Sequence, residues 1–124
     1  IQSIIKKMKK KGGSIINLSS SANFEKNSGT SIYASSKAAL ETFSKVISRE
    51  LGRYKIRVNV VQPGLVETET MRERHPDKII EAQLKKLSLK EIIHPREVAN
   101  LILFLASDES KNITGQVVKI NCGI

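Results

Sequence analysis

The sequence predicts an α/β fold built on a parallel sheet, and three observations carry that reading. Residues 14–18, 56–61 and 116–121 are short aliphatic runs between glycine, proline and serine breaks, the pattern of strands buried inside a sheet. Helical stretches separate them, with apolar residues returning at i, i+3 and i+4. A chain that crosses over through a helix re-enters the sheet at the same end, so the strands run parallel.

The elements follow in order. Ile1, Ile4, Ile5 and Met8 form one helix face, and Gly12-Gly13 ends that helix behind a lysine run that suits the macrodipole. The helix starts before Ile1, so the chain is expected to be part of a longer protein. The strand at 14–18 delivers Ser19-Ser20-Ser21 to its carboxyl end, where open α/β sheets bind ligands. Residues 23–29 read as a polar loop. Thr30 or Ser31 then caps a helix that runs to about Leu51 and stops at Gly52. Ala34, Ala38 and Ala39 allow another element to approach it closely.

The second strand ends at Pro63-Gly64, and a loop continues through Thr68. Residues 76–87 read as a helix with Pro76 near its start. It is only modestly apolar, as suits a helix packed lightly over a cleft, a mobile lid or an ordinary surface helix. Pro95 opens a last helix that is apolar around most of its circumference and is expected to be deeply packed. Three strands are too few for a covered α/β domain, so further sheet is expected from outside this chain.

Composition narrows the function. Hydrophobic residues make up 40%, and no stretch approaches the ~18–20 apolar residues of a membrane span. Cys122 is the single cysteine and cannot form an internal disulfide, which suits a reducing compartment, so the cytoplasm is expected. The net charge of +9 invites nucleic acid, but aromatic residues are only 4% and much of the excess sits in Lys6, Lys7, Lys9, Lys10 and Lys11. No nucleic-acid, membrane or metal partner is expected.

The candidate chemistry lies in Tyr33-Ala34-Ser35-Ser36-Lys37. Tyrosine and lysine four residues apart share one helix face. A cation beside a phenol favours the phenolate, and a tyrosine so tuned can give a proton to a carbonyl oxygen or take one from an alcohol. The pair alone reads first as a half-buried helix tyrosine and a solvated lysine.

Four segments together change that balance. Residues 13–20 (Gly-Ser-Ile-Ile-Asn-Leu-Ser-Ser), 33–40 (Tyr-Ala-Ser-Ser-Lys-Ala-Ala-Leu), 56–64 (ending Gln62-Pro63-Gly64) and 105–116 (Leu-Ala-Ser-Asp through Ile-Thr-Gly-Gln) occur in an order and spacing that resembles the short-chain dehydrogenase/reductase family. The resemblance implies the C-terminal portion of a doubly wound, parallel-sheet Rossmann domain. It implies Tyr33 as general acid/base, and Lys37 as the group that tunes it and binds the nicotinamide ribose. Ser20, thirteen residues before Tyr33, would hold the substrate carbonyl, with Ser19 and Ser21 as neighbouring structural serines. Pro63, Gly64, Val66 and Thr68 would border the nicotinamide of NADP or NAD; Thr68 also reads as a plain loop residue.

Within the family the sequence looks most like 3-oxoacyl-carrier-protein reductases. The implied substrate is therefore a small-molecule or carrier-protein-bound carbonyl, and the implied assembly a homodimer or homotetramer. The opening helix and the Tyr33 helix are expected to meet in an isologous contact. Several family features are missing. The glycine-rich dinucleotide loop and the tetrad asparagine are absent, and Asn121-Cys122-Gly123 stands where Asp-Gly-Gly is usual. Residues 1–124 alone are therefore expected to bind neither NADH nor NADPH and to expose strand 14–18 as a sheet edge. The rival function is a non-catalytic dinucleotide sensor or scaffold, which typically loses the tyrosine.

Overall fold

The structure is a computed structural model that describes residues 2–25 and 27–124. Ile1, placed by sequence on the first helix face, lies outside the described residues. Three parallel strands, β1 (Gly13–Leu18), β2 (Ile56–Pro63) and β3 (Val117–Ile120), stand in the order β1-β2-β3. The register runs from Gly13 opposite Ile56 to Leu18 opposite Val61, and from Val60 opposite Val117 to Pro63 opposite Ile120. The central strand is the most buried element, with Ile56, Val58, Val60 and Val61 all but inaccessible.

Six helices accompany the sheet among the described residues: α1 (Gln2–Met8), α2 (Ala22–Glu25), α3 (Ser31–Leu51), α4 (Glu69–Arg74), α5 (Asp77–Leu84) and α6 (Pro95–Ala106). The alternation of a strand sorts the two faces. Ile56 and Val58 pack with Ile47 and Leu51 of α3, and with Ile5 and Met8 of α1. The intervening Arg57 points the other way and donates to the carbonyls of Ser107 (3.0 Å) and Ile113 (3.3 Å). On that second face Ser14 Oγ donates to the Leu105 carbonyl of α6 at 2.8 Å. Helices therefore cover both faces, as a doubly wound sheet requires.

The polar residues of β2 are structural ties. Buried Asn59 donates to the Ile113 carbonyl at 2.8 Å and accepts from the Gln116 amide at 3.1 Å. Together with Arg57 it fixes the segment that leads into β3. On the α3 face the contact is made by small hydroxyls: Ser44 and Ser48 are buried, and Asn17 Nδ2 donates to Ser44 Oγ at 2.8 Å.

Several local expectations are corrected. The polar loop at 23–29 begins with α2 instead, because Ser20 Oγ accepts from the Ala22 amide (3.3 Å) and the Ser21 carbonyl from the Phe24 amide (3.0 Å). Thr30 holds the N-cap position of α3 but its side chain makes no capping bond; its hydroxyl donates back to the Asn27 carbonyl at 2.6 Å. Gly52 does not reverse the chain. It is right-handed at φ −56°, a 3₁₀ turn follows, and Lys55 makes the reversal at φ 56°. The helix predicted over 76–87 is α5 alone, with α4 as an additional helix before it and Pro76 at the N-cap.

α6 is not deeply packed. Only Leu105 is buried, while Leu103 is 69% exposed, because the helix meets β1 and β2 along a single stripe. β1 is an edge strand, as expected, and its residues are half-buried or exposed. Ile4, Ile32, Phe43 and Val46 leave apolar surface on α1 and α3.

The turn between α1 and β1 gives a stability test. Gly12 is left-handed at φ 75°, and a Cβ there would lie 2.8 Å from the Lys55 carbonyl oxygen. Gly29 is also left-handed, at φ 83°, but faces open space. Gly29→Ala should cost about 1 kcal/mol from backbone strain alone, and Gly12→Ala roughly 2–3 kcal/mol because backbone must also move. Urea midpoints of the two variants measure the difference; equal midpoints would contradict the close approach.

Candidate active site

The carboxyl end of β1 meets the first turns of α3. The ladder continues beyond the strand: the Ser19 amide donates to the Val61 carbonyl at 2.8 Å and the Ser21 amide to the Pro63 carbonyl at 2.9 Å. Ser19 and Ser21 are buried, whereas Ser20 between them is half-buried. Ser19 Oγ is taken up by Glu41 Oε1 at 2.6 Å. Ser20 Oγ accepts from the Ala22 amide, which leaves its hydroxyl proton available. The three serines, alike in sequence, are thus separated by their partners.

Tyr33 lies in the first turn of α3 and is 50% exposed. Lys37, one turn on, stands with Nζ 5.6 Å from the Tyr33 ring centroid, within the range of a cation–π contact. The same Nζ donates to the Leu18 carbonyl at 2.9 Å. The ammonium is therefore anchored at the last residue of β1, beside the tyrosine. Three donors sit on this nitrogen, and Leu18 uses one.

Pro63 and Gly64 close β2. The Gly64 amide donates to the Ile120 carbonyl at 2.9 Å, and a Cβ at Gly64 would lie 3.0 Å from Asn121 Cα, so the end of β3 leaves no room for a side chain. Val66 forms an isolated parallel bridge with Ile93. Thr68 is the N-cap of α4, its Oγ1 accepting from the Met71 amide at 3.1 Å. Ser20, Tyr33, Lys37, Pro63 and Gly64 thus gather at one end of the sheet, while Val66 and Thr68 lie on the segment leading away.

A cavity of about 370 Å³ lies beside this end, lined by Thr30, Leu65, His75, Ile79 and Leu87 among others. A larger one, about 490 Å³, lies at the opposite end of the strands among Lys11, Lys55, Arg57 and Lys111. The smaller is adjacent to the chemistry, because Thr30 leads into the Tyr33 helix and Leu65 follows Gly64.

Sequence reasoning missed a polar cluster under the site. Glu41 accepts from Ser19 and from Gln62 Nε2, and Gln62 also donates to Asn23. The available signal was Glu41's position four residues past Lys37, on the same helix face.

At the start of α4, an ion pair joins Glu67 and Arg72. The hydrogen bond from Arg72, and then its charge, hold the Glu67 carboxyl below the usual range. Burial pushes the Cys122 thiol up, and the charges of Glu91 and Glu97 add to the effect.

A parallel sheet wound on both faces, with a tyrosine–lysine pair where its strands end, defines a doubly wound α/β protein whose candidate site lies at the end of the sheet where such folds bind ligands. Comparison with known proteins narrows the class. A family model described as "Enoyl-(Acyl carrier protein) reductase" matches residues 1–124. The chain is 44% identical over 117 residues to 3-oxoacyl-[acyl-carrier-protein] reductase FabG of Thermotoga maritima, covering 94% of this chain and 47% of that protein. It is 39% identical over 112 residues to (3R)-3-hydroxyacyl-CoA dehydrogenase of Rattus norvegicus, covering 90% and 43%. A solved short chain dehydrogenase/reductase family protein superposes with a TM-score of 0.84 at 31% identity, over 98% of this chain and 48% of that one. The chain belongs to the short-chain dehydrogenase/reductase family. It spans about half the length of the curated relatives it matches.

The raised thiol gives a chemical test. Only the thiolate alkylates, so a pKa above the ordinary value means less thiolate at any given pH. Iodoacetamide should label Cys122 more slowly at pH 8 than it labels a free small thiol, and labelling should rise only at higher pH. Labelling as fast as the free thiol would show that Cys122 is not shielded.

Proposed function

We propose that the whole protein is an NAD(P)-dependent oxidoreductase that interconverts a carbonyl and an alcohol, with Tyr33, Lys37 and Ser20 at its catalytic centre. The observation that carries this reading is the placement of Lys37 Nζ, 5.6 Å from the Tyr33 ring and bonded to the end of β1. Tyr33 is exposed enough to reach a substrate, and its phenol would give the proton that an alkoxide oxygen takes up. Ser20, with its hydroxyl proton available, would donate to the same oxygen. The positive charge of Lys37 would accompany that transfer.

The residues present also fit a nicotinamide nucleotide. Two donors on Lys37 remain for ribose hydroxyls once Leu18 has taken one. Pro63, Gly64 and Val66 would border the ring. Thr68 would offer its hydroxyl proton, because capping α4 uses only an acceptor position. The bound cofactor, NADP or NAD, would supply or accept the hydride.

The finer substrate reading is a 3-oxoacyl group carried by an acidic carrier protein. The reductase relatives named above support it, and so does the net charge of +9. The matching family description names an enoyl reductase. The short interval between Tyr33 and Lys37 favours ketone reduction, since the enoyl-reducing branch usually spaces the pair more widely. The rival reading, a non-catalytic sensor or scaffold of this fold, is disfavoured by the joint presence of Ser20, Tyr33 and Lys37. A cytoplasmic homodimer or homotetramer, joined through the apolar surfaces of α1 and α3, completes the proposal.

Two measurements test it. In the whole protein, Tyr33→Phe should lower ketone turnover by about 10²-fold or more, the range for losing a positioned acid; near-normal turnover removes Tyr33 from the chemistry. Light scattering at micromolar concentration should give a dimer or tetramer, and a monomer would sink the assembly.

A further inference from the structure

We infer that Glu41 is a positioning residue, a role that rests on the oxidoreductase reading above: its carboxylate ties the carboxyl ends of β1 and β2 to the helix that carries Tyr33 and Lys37. Tyr33, Lys37 and Glu41 follow one another at four-residue steps along one face of α3. Glu41 Oε1 accepts from Ser19 Oγ at 2.6 Å and from Gln62 Nε2 at 2.6 Å. Ser19 directly precedes Ser20, and Gln62 directly precedes Pro63-Gly64. One carboxylate oxygen therefore holds the residue before each strand-end part of the site. Gln62 Nε2 also reaches Asn23 Oδ1 at 3.1 Å, which brings α2 into the same tie.

The two donors are buried, Ser19 at 5% and Gln62 at 2% exposure, while Glu41 and Asn23 are half-buried. Charge-assisted hydrogen bonds are strong in such a place. The orientation of Gln62 points the same way. A carboxylate only accepts, so it turns the Gln62 NH2 group toward α3. The Gln62 Oε1 atom is left buried without a partner among the described residues. The opposite amide orientation would set carbonyl oxygen against carboxylate. An orphaned carbonyl is tolerated here because the Glu41 contact fixes the amide.

Glu41 does not draw Lys37 away. The ammonium bonds the Leu18 carbonyl, and the ion pair among the described residues is Arg72–Glu67. The carboxylate thus aligns both strand ends against α3 without neutralising the cation beside Tyr33. An apolar side chain at this position could fill the space, but it would leave the Ser19 hydroxyl and the Gln62 amide as buried donors with no acceptor at that point.

The test uses the whole protein with Glu41→Ala, Glu41→Gln and Tyr33→Phe. It reads kcat and KM for ketone reduction, together with hydrogen–deuterium exchange over residues 17–24, 60–66 and α6. Glu41→Ala should lower kcat about tenfold or more, as a small misplacement of catalytic groups does, with KM within about twofold. Exchange should quicken at both strand ends and stay as in the wild type over α6. Glu41→Gln keeps the Oε1 acceptor and should restore both kcat and protection. Wild-type exchange at 17–24 and 60–66 in Glu41→Ala overturns the tie. Wild-type kcat in that variant, or equal loss in Glu41→Gln, overturns the positioning role. If Glu41→Ala does not fold, Ser19→Ala removes one arm of the tie without removing the charge, and it should quicken exchange at 17–24 and lower kcat; neither change would overturn the inference. Undiminished turnover in Tyr33→Phe would instead overturn the oxidoreductase reading, and the exchange result would still decide the tie.

Discussion

A strand that ends inside a protein must find partners for its last polar groups, and α3 supplies them for β1. A buried polar group left unpaired costs about 1–3 kcal/mol, so the part-buried bonds of Asn17 and Ser19 restrict where the helix can lie, and the exposed Leu18–Lys37 bond adds to them. Three contacts step along one helix face: Leu18 carbonyl to Lys37, Ser19 to Glu41 and Asn17 to Ser44. Shifting α3 along the strand would break all three together. The relation of Tyr33 to Ser20 is therefore set by the same bonds that satisfy the strand end. The placement of the chemistry follows from the packing of polar groups, with the apolar contacts of Ile47 and Leu51 holding the other end of the helix down.

The central strand imposes the complementary constraint. Its apolar residues are buried against α3 on one side, yet Arg57 and Asn59 alternate with them and face the segment between α6 and β3. These two side chains take backbone groups of Ser107, Ile113 and Gln116, so an irregular stretch gains fixed geometry without forming a regular element. β3 then enters beside β2 in register, and its end closes against Gly64. A polar residue in an aliphatic strand is here a fastener for the next crossover.

What could be read from the sequence was what repeats. The three strands were legible because aliphatic runs between breaks have few alternatives, and the proximity of Tyr33 and Lys37 because a four-residue step puts two side chains on one helix face. What depended on partners was not legible. Ser19, Ser20 and Ser21 are chemically alike, and only the strand alternation and the presence of Glu41 divide them. The turn at Lys55 was hidden because Gly52 is the obvious reversal point, while the protein uses a lysine in a conformation that glycine adopts more easily. The helical pattern of α6 showed its apolar residues but not how narrow a stripe of sheet it would meet. The short α2 helix depends on Ser20 and Ser21, whose contacts cannot be inferred from polarity.

The same accounting explains how one set of side chains can serve both fold and site. Ser20 and Lys37 at the sheet end, and Thr68 on the segment leading away from it, each use part of their hydrogen-bonding capacity on structure. Ser20 accepts from the Ala22 amide, Thr68 accepts from the Met71 amide, and Lys37 gives one proton to Leu18. A hydroxyl that accepts can still donate, and an ammonium that gives one proton keeps two. The structural bonds fix these groups and leave each with at least one proton still to donate. In the function proposed above, these protons would face acceptor atoms of a bound ligand. Glu41 and Gln62 differ in kind: the carboxylate is turned inward onto Ser19 and Gln62, and its Oε1 acceptor ties together the residues behind the site.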